Sequence, residues 1–421
     1  MLRKIVFWLH LVCGVVAGLV IGIMSFTGTA LAFEKQLVAF AERDARRVTP
    51  PSADAKPLPL DELARRIRAQ RPEHRPSGFV ITRDPRAAIA LSAGGRGGGG
   101  ATAGALFANP YTAELREAAS PRTSAFMRTM RSWHRWLGIE GEHRNIARAA
   151  TGAANLAFLG LAVTGLYLWW PRRWSRRAIG AIAWFNVRLS GRARDFNWHN
   201  VIGLWSAPVL IVLTATALPI SYAWAGRLIF RLTGTPAPAQ GARTAGPNGP
   251  AAASTVSVPR PAAETQPLAL DALLAAVQQQ FPSWEQITLR TPAGHGTARD
   301  APATRDAAHA GPSQVTTGDA AHAAPLMVTL KQSDTWPRTA TTTLALDPYT
   351  GNVLQRTGYA ELNRAQQVRA WTRFLHTGEA LGWGGQLVAG LASFGGCVLM
   401  WTGFALAWRR FFSRTTPANA A

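Results

Sequence analysis

Hydrophobic residues gather into four long runs along this chain, and the segments between them are polar, charged or rich in small residues. The runs cover residues 5–33, 149–170, 199–225 and 384–408. Each is close to the roughly 20 apolar residues that carry an α-helix across about 30 Å of hydrocarbon. Four transmembrane helices are therefore predicted. The first run, of about 29 residues, is roughly twice the length of a signal-peptide core, so it is read as a retained span although Ala30-Leu31-Ala32 has the small residues of a cleavage site.

The two long polar segments, 34–132 and 226–370, carry shorter periodicities. Leu60 to Gln70 and Leu268 to Phe281 have helical spacing. Gly78 to Thr82, Ala87 to Leu91, Ile287 to Arg290, Leu326 to Leu330 and Thr341 to Leu346 alternate as short antiparallel strands do. The pattern predicts two small α/β modules. Gly94 to Gly100 reads as a hinge, and residues 292–324, rich in Ala, Gly, Thr and His, as a disordered insert. Residues 133–148 and 371–383 are expected to be interfacial segments joining modules to spans.

Charge gives this arrangement a direction. The 421 residues carry a formal net charge of +22. The arginines border the apolar runs instead of lining one soluble face, which excludes a nucleic-acid partner. Arg3 and Lys4 precede the first span, seven arginines from Arg172 to Arg194 fill the loop 171–198, and Arg409, Arg410 and Arg414 lie in the tail 409–421. All three places fall on one side of a four-span protein, and the positive-inside rule makes that side the cytoplasm. Both termini are then cytoplasmic and both modules extracytoplasmic. Cys13 and Cys397, the only cysteines, lie inside spans, so neither a disulfide framework nor a covalent haem motif is present.

The two halves share their landmarks in the same order. His10 is followed by Gly14 and Thr27-Gly28, and His199 by Gly203 and Thr216-Ala217, with 17 residues from His to Thr in both (27 − 10 and 216 − 199). Asn109-Pro110-Tyr111-Thr112 matches Asp347-Pro348-Tyr349-Thr350-Gly351, each expected to form a tight turn. Arg131-x-x-His134 matches Arg373-x-x-His376, and Thr164-Gly165 matches Thr402-Gly403. A parallel tandem repeat closing into a four-helix bundle is expected.

Five of the nine histidines border the bilayer: His10, His134, His143, His199 and His376. The other four, His74, His295, His309 and His322, read as solvated residues of the modules. An ionisable residue inside a span is a functional candidate. The small residues Gly14, Gly18 and Gly22 near His10 read either as a flat slot for a porphyrin face beside a ligating histidine or, on the rival reading, as a close helix-packing contact. The repeat favours a shared role, because His10 and His199 are expected to form an inner pair at one depth and His134 and His376 an outer pair at another. Two imidazoles fill both axial positions of a haem iron and leave a site suited to electron transfer. Two non-covalent b-type haems are expected, one at each depth, with irons roughly 20 Å apart. His143 is the alternative to His134. Arg131, Arg135 and Arg373 are candidate partners for haem propionates, with interfacial anchoring as the competing role. No flavin site or nucleotide fingerprint is present.

The chain resembles the PepSY-associated transmembrane proteins, a family that includes members similar to siderophore-iron reductases. The resemblance rests on Trp8-Leu9-His10, Trp133-His134-Arg135-Trp136-Leu137-Gly138, Gly165 to Arg173, Trp198-His199-Asn200, Asp347 to Gly351 and Leu375-His376-Thr377-Gly378-Glu379. It implies four spans, two PepSY-like periplasmic modules, and, in reductase members, two histidine-held haems passing electrons outward through the bacterial inner membrane to a ferric siderophore. The donor would be a quinol or a cytoplasmic reductant. A haem-free membrane anchor whose modules bind peptides or regulate a protease is the alternative. A transporter on the parallel repeat finds no intramembrane carboxylate to serve it.

Overall fold

The computed structural model describes residues 1–72, 76–93, 106–118, 121–171, 175–237, 258–259, 265–290 and 322–412. The expected hinge at Gly94 to Gly100 lies outside these residues, as do His74, His295, His309, Arg172, Arg173, Arg414 and nearly all of the insert 292–324.

Along the chain, α1 (Leu2–Ala32) is followed by α2 (Glu34–Ala41), α3 (Arg43–Arg46) and α4 (Leu60–Gln70). Strands β1 (Pro76–Thr82), β2 (Ile89–Ala93), β3 (Leu106–Ala108) and β4 (Leu115–Glu117) come next. Then come α5 (Pro121–Trp136), α6 (Arg144–Trp169), α7 (Arg176–Ala183), α8 (Gly191–Ser221) and α9 (Ala223–Leu232). The second polar segment holds β5 (Val258–Pro259), α10 (Leu270–Gln280), β6 (Trp284–Arg290), β7 (His322–Ala323), β8 (Leu326–Gln332), β9 (Thr342–Leu346) and β10 (Val353–Thr357). Helices α11 (Arg364–His376) and α12 (Gly382–Phe412) close the described chain.

The molecule divides into two compact units. The first holds residues 1–37, 122–237 and 364–421. Its helices α1, α6, α8 and α12 are long and apolar enough to cross a membrane, α6 continuing from a short 3-10 turn at Gly141–His143. They outrun the apolar stretches of the sequence, since helical hydrogen bonding continues into polar flanks: α8 begins at Gly191, eight residues ahead of His199 (199 − 191). The four pack as a ring in the order α1, α6, α8, α12. Leu19, Phe26, Val163, Leu391, Phe394 and Trp401 are exposed on it, as lipid-facing side chains of a membrane bundle are.

Small residues set the closest approaches. A methyl group added at Gly22 would lie 2.6 Å from Met400 Cε, and one at Gly18 would lie 2.8 Å from Phe404 Cζ. At the loop ends, Asn197 is buried and bridges α8 to the preceding turn, accepting from the Asn186 amide at 3.0 Å and donating to the Trp184 carbonyl at 3.2 Å.

The second unit, residues 38–121 and 238–363, is an eight-stranded antiparallel sheet in the order β10-β9-β8-β6-β1-β2-β3-β4. Each polar segment contributes four strands, and β1 and β6 join them at the centre with Phe79 opposite Leu289 and Ile81 opposite Ile287. Leu63 and Ile67 of α4 and Leu273 and Val277 of α10 pack with these strand residues in one core. The two sequence-predicted modules therefore share a sheet and a core. Both expected turns are present: the Tyr111 amide donates to Asn109 Oδ1 at 2.9 Å, and the Tyr349 amide to Asp347 Oδ1 at 2.8 Å.

Candidate functional site

The histidines of the inner depth come from diagonally placed helices. His10 sits on α1 and His199 on α8. His10 Nδ1 lies 2.9 Å from Thr164 Oγ1 of α6, and His199 Nδ1 lies 2.9 Å from Thr402 Oγ1 of α12. Each ring also lies against a bare stretch of backbone. A Cβ added at Gly165 would be 3.4 Å from His10 Cε1, and one at Gly403 would be 3.6 Å from His199 Cε1.

The outer pair is built differently. His134 lies in the last turn of the amphipathic helix α5 and His376 ends α11, so both rings reach the bundle from its rim. Their ring centroids are 6.3 Å apart with planes inclined by 49°. Two imidazole nitrogens each about 2 Å from one shared metal would leave ring centres roughly 6 Å apart. His134 Nδ1 lies 3.0 Å from both the Met24 carbonyl and Thr27 Oγ1 of α1, and His376 Nδ1 lies 2.9 Å from the Leu213 carbonyl of α8. Met24 and Leu213 are separated by the same interval as His10 and His199 (213 − 24 = 199 − 10).

These contacts settle which nitrogen is free. A carbonyl only accepts, so His134 and His376 carry their proton on Nδ1. Thr164 donates its hydroxyl to the Gly160 carbonyl at 2.7 Å, and Thr402 donates to Val398 at 2.8 Å, so each hydroxyl oxygen accepts from the histidine beside it. All four histidines then present the Nε2 lone pair. A ligating histidine is ordinarily oriented in this way, by a hydrogen bond from its other nitrogen.

The electrostatics of the outer pair act in the same direction. Burial pushes the His134 imidazole down to about 4; the charges of His376 and Arg135 add to the fall, and the Met24 carbonyl opposes it. Burial also lowers His376, against the Leu213 carbonyl. Both rings are neutral near pH 7, the form that ligates a metal. Two imidazoles bonded through Nδ1 at each depth match the donor set that a bis-imidazole haem iron requires. Among the described residues there is no group of three or more His, Cys, Asp or Glu side chains that could hold a metal ion.

The remaining candidates separate clearly. His143 is exposed at the 3-10 turn before α6, with no part in either pair. Arg131 forms an ion pair with Glu34, and Arg135 stacks on the Trp136 ring at 4.6 Å. Arg373 is exposed on α11. The expected slot beside Gly18 and Gly22 is filled by Phe404 and Met400, so those two glycines serve helix packing, and the glycines at the imidazoles are Gly28, Gly165 and Gly403. Sequence reasoning did not assign roles to Thr164, Thr402, Met24 and Leu213. The threonines were visible as Thr-Gly landmarks, but the two carbonyls carry no side-chain signal.

The sequence profile of the PepSY-associated TM region matches residues 7–410. The chain belongs to this family. The match covers the spans, the sheet unit and all four paired histidines of this PepSY-associated protein. No curated protein matches the chain. The four apolar helices and the family together make it a membrane protein in contact with lipid.

Proposed function

We propose that this PepSY-associated protein is a di-haem b electron-transfer protein of the bacterial inner membrane that reduces a ferric chelate, such as a ferric siderophore, on the periplasmic side. The observation that carries the reading is the common state of His10, His199, His134 and His376, each bonded through Nδ1 and open at Nε2. The reading also includes a parallel tandem repeat with both termini in the cytoplasm, supported by the shared 189-residue interval (199 − 10 and 213 − 24) and by the basic residues at Arg3, Arg188, Arg192 and Arg409.

Held by His10 with His199 and by His134 with His376, haem would supply one-electron redox chemistry between a quinol or cytoplasmic reductant and a ferric chelate, whose iron would be released as the ferrous ion. The protein's own residues set the conditions. Thr164 and Thr402 hold the inner imidazoles from neighbouring helices, and the Met24 and Leu213 carbonyls hold the outer ones. Phe158, Ala162, Leu210, Ala392 and Leu399 pack the bundle and exclude water from it.

The test is the absorption spectrum of the purified protein before and after dithionite, followed by addition of ferric chelates to the reduced form. A bis-imidazole b-type spectrum that reoxidises with a chelate is expected. A colourless protein with its fold intact would sink the reading in favour of a haem-free anchor.

A further inference from the structure

We propose that Arg135, Arg144 and Arg148, grouped around Trp136 at the start of α6, form an anion-binding site that takes the negatively charged ferric chelate. The proposal rests on the electron-transfer reading and narrows its substrate class to anionic chelates.

The guanidinium of Arg144 lies 3.5 Å from the centroid of the Trp136 ring, and that of Arg135 lies 4.6 Å from it. Both are held on one aromatic platform. Arg148 is one helical turn beyond Arg144 and makes only a long hydrogen bond, 3.4 Å, to the Ile220 carbonyl. Among the described residues no carboxylate pairs with any of the three. Arg131, one turn before Arg135, has Glu34 instead.

This placement opposes every ordinary preference. Like charges one turn apart repel. A helix N-terminus is already positive and favours acidic residues, yet the first turn of α6 has none, and its N-cap residue His143 makes no capping bond. Guanidinium groups stay charged in proteins, so the repulsion persists until an anion relieves it.

The connecting turn also fits a ligand site. Leu137 has φ +52°, an unfavourable value for a side chain of that size, and Gly138 and Gly141 have φ +75° and +70°. Together they reverse the chain between α5 and α6 and bring Arg144 onto Trp136. The corresponding turn between α11 and α12 has Glu379 paired with Lys35 and no arginine, so the charge belongs to one half alone. Arg135 directly follows His134 in α5, which puts the anion beside the outer pair.

The experiment titrates the full-length protein, in nanodiscs of phosphatidylcholine alone, with ferric citrate as an anionic probe and ferrioxamine B as a cationic one. Ferric citrate should bind, weaken as salt rises, and lose about tenfold or more in the Arg135→Gln/Arg144→Gln double variant. The Lys/Lys variant should recover most of that loss, and ferrioxamine B should be indifferent to both. Arg148→Gln alone, which leaves the Trp136 stack intact, should weaken ferric citrate severalfold and serves if the double variant fails to fold. Unchanged ferric citrate binding by folded Gln variants overturns the proposal. So does a wild-type protein that ignores ferric citrate and uses the arginines only to retain phosphatidylglycerol, which would assign them to lipid headgroups. Binding can be read with or without haem. A haem-free protein that binds ferric citrate through these arginines fails the electron-transfer reading but keeps the site, whereas a haem-loaded protein that reduces ferric citrate equally well without them fails the site alone.

Discussion

His134 and His376 are 242 residues apart in the chain (376 − 134), yet their rings sit 6.3 Å apart, each turned by a backbone carbonyl of a neighbouring span. Both carbonyls accept from Nδ1, so the geometry singles out these two histidines at the rim of the bundle and leaves His143 exposed. Changing either His134 or His376 to Ala is therefore expected to remove one of two b-type haems, about half of the haem per protein by pyridine haemochrome assay. His143→Ala should leave the full content. Loss of haem in the His143 variant with retention in the His134 variant would reverse the ligand assignment.

The threonines give a graded prediction. His10 and His199 depend on Thr164 and Thr402 for orientation, whereas His134 has both Thr27 and the Met24 carbonyl. Groups that orient a ligand from behind typically matter by about 10- to 100-fold in metal affinity. Thr164→Val and Thr402→Val should weaken haem retention at the inner site by that order, measured by titrating haem back into the depleted protein. Thr27→Val should have the smallest effect of the three.

Much of this site was legible in the sequence, because a bilayer forces long apolar runs and makes a histidine within one conspicuous. The pairing of His134 with His376 followed from the shared Arg-x-x-His pattern. What was not legible is equally specific. The outer histidines ride on α5 and α11, amphipathic helices that cross the expected bounds between module and interfacial segment, since residues 121–132 and 364–370 read as parts of the polar modules. Strands β3 and β4 have three residues each, too few to show alternation, and β10 reads Val353-Leu354-Gln355-Arg356-Thr357, a weak pattern. The stripe of Gly14, Gly18 and Gly22 was ambiguous between packing and a ligand slot, and only the positions of Phe404 and Met400 decide it for Gly18 and Gly22.

Those glycines now make opposite predictions. At Gly22 a larger side chain meets Met400, and overpacking of this kind costs about 1–3 kcal/mol. Gly22→Val should lower the thermal unfolding midpoint in detergent and leave the protein that remains folded with its full haem. Gly165→Leu places bulk beside the His10 ring and should reduce haem at the inner site with the smaller change in unfolding midpoint. Equal effects on haem from the two variants would remove the distinction.

Asp195 is the buried carboxylate of the membrane unit among the described residues, held by Arg194 at 2.9 Å and by Arg409 of α12 at 3.1 Å. It joins the start of α8 to the end of α12 one turn from His199. Removing one partner of a buried pair costs about 3–5 kcal/mol, and the partly exposed arginines reduce that to roughly 1–3 kcal/mol here. Asp195→Ala should destabilise the bundle by this amount, and Arg409→Gln by less, since Arg194 remains to the carboxylate. Thermal unfolding of the two variants in the same detergent would compare them directly.

In the sheet unit, α4 and α10 meet at their N-termini, where Asp271 accepts from the Leu60 amide at 2.6 Å and Asp61 accepts from the Asp271 amide at 3.4 Å. Burial raises the Asp61 carboxyl above the usual carboxylate range, with the charge of Asp271 adding to it and backbone amides at Asp271 and Leu270 opposing it. The folded protein therefore holds a proton on Asp61 at a pH where the unfolded chain has released it. Stability from this residue is highest below the ordinary aspartate range and declines as pH rises through the raised value. Asp61→Asn keeps a side-chain acceptor for the Asp271 amide and removes the titration. The variant should match the wild type in acid, become the more stable of the two toward neutral pH, and lose that part of the pH dependence in chemical unfolding of the full chain. A wild-type protein that gains stability over the variant as pH rises from 4 to 7 would show that Asp61 is instead favoured as the anion by the two helix N-termini.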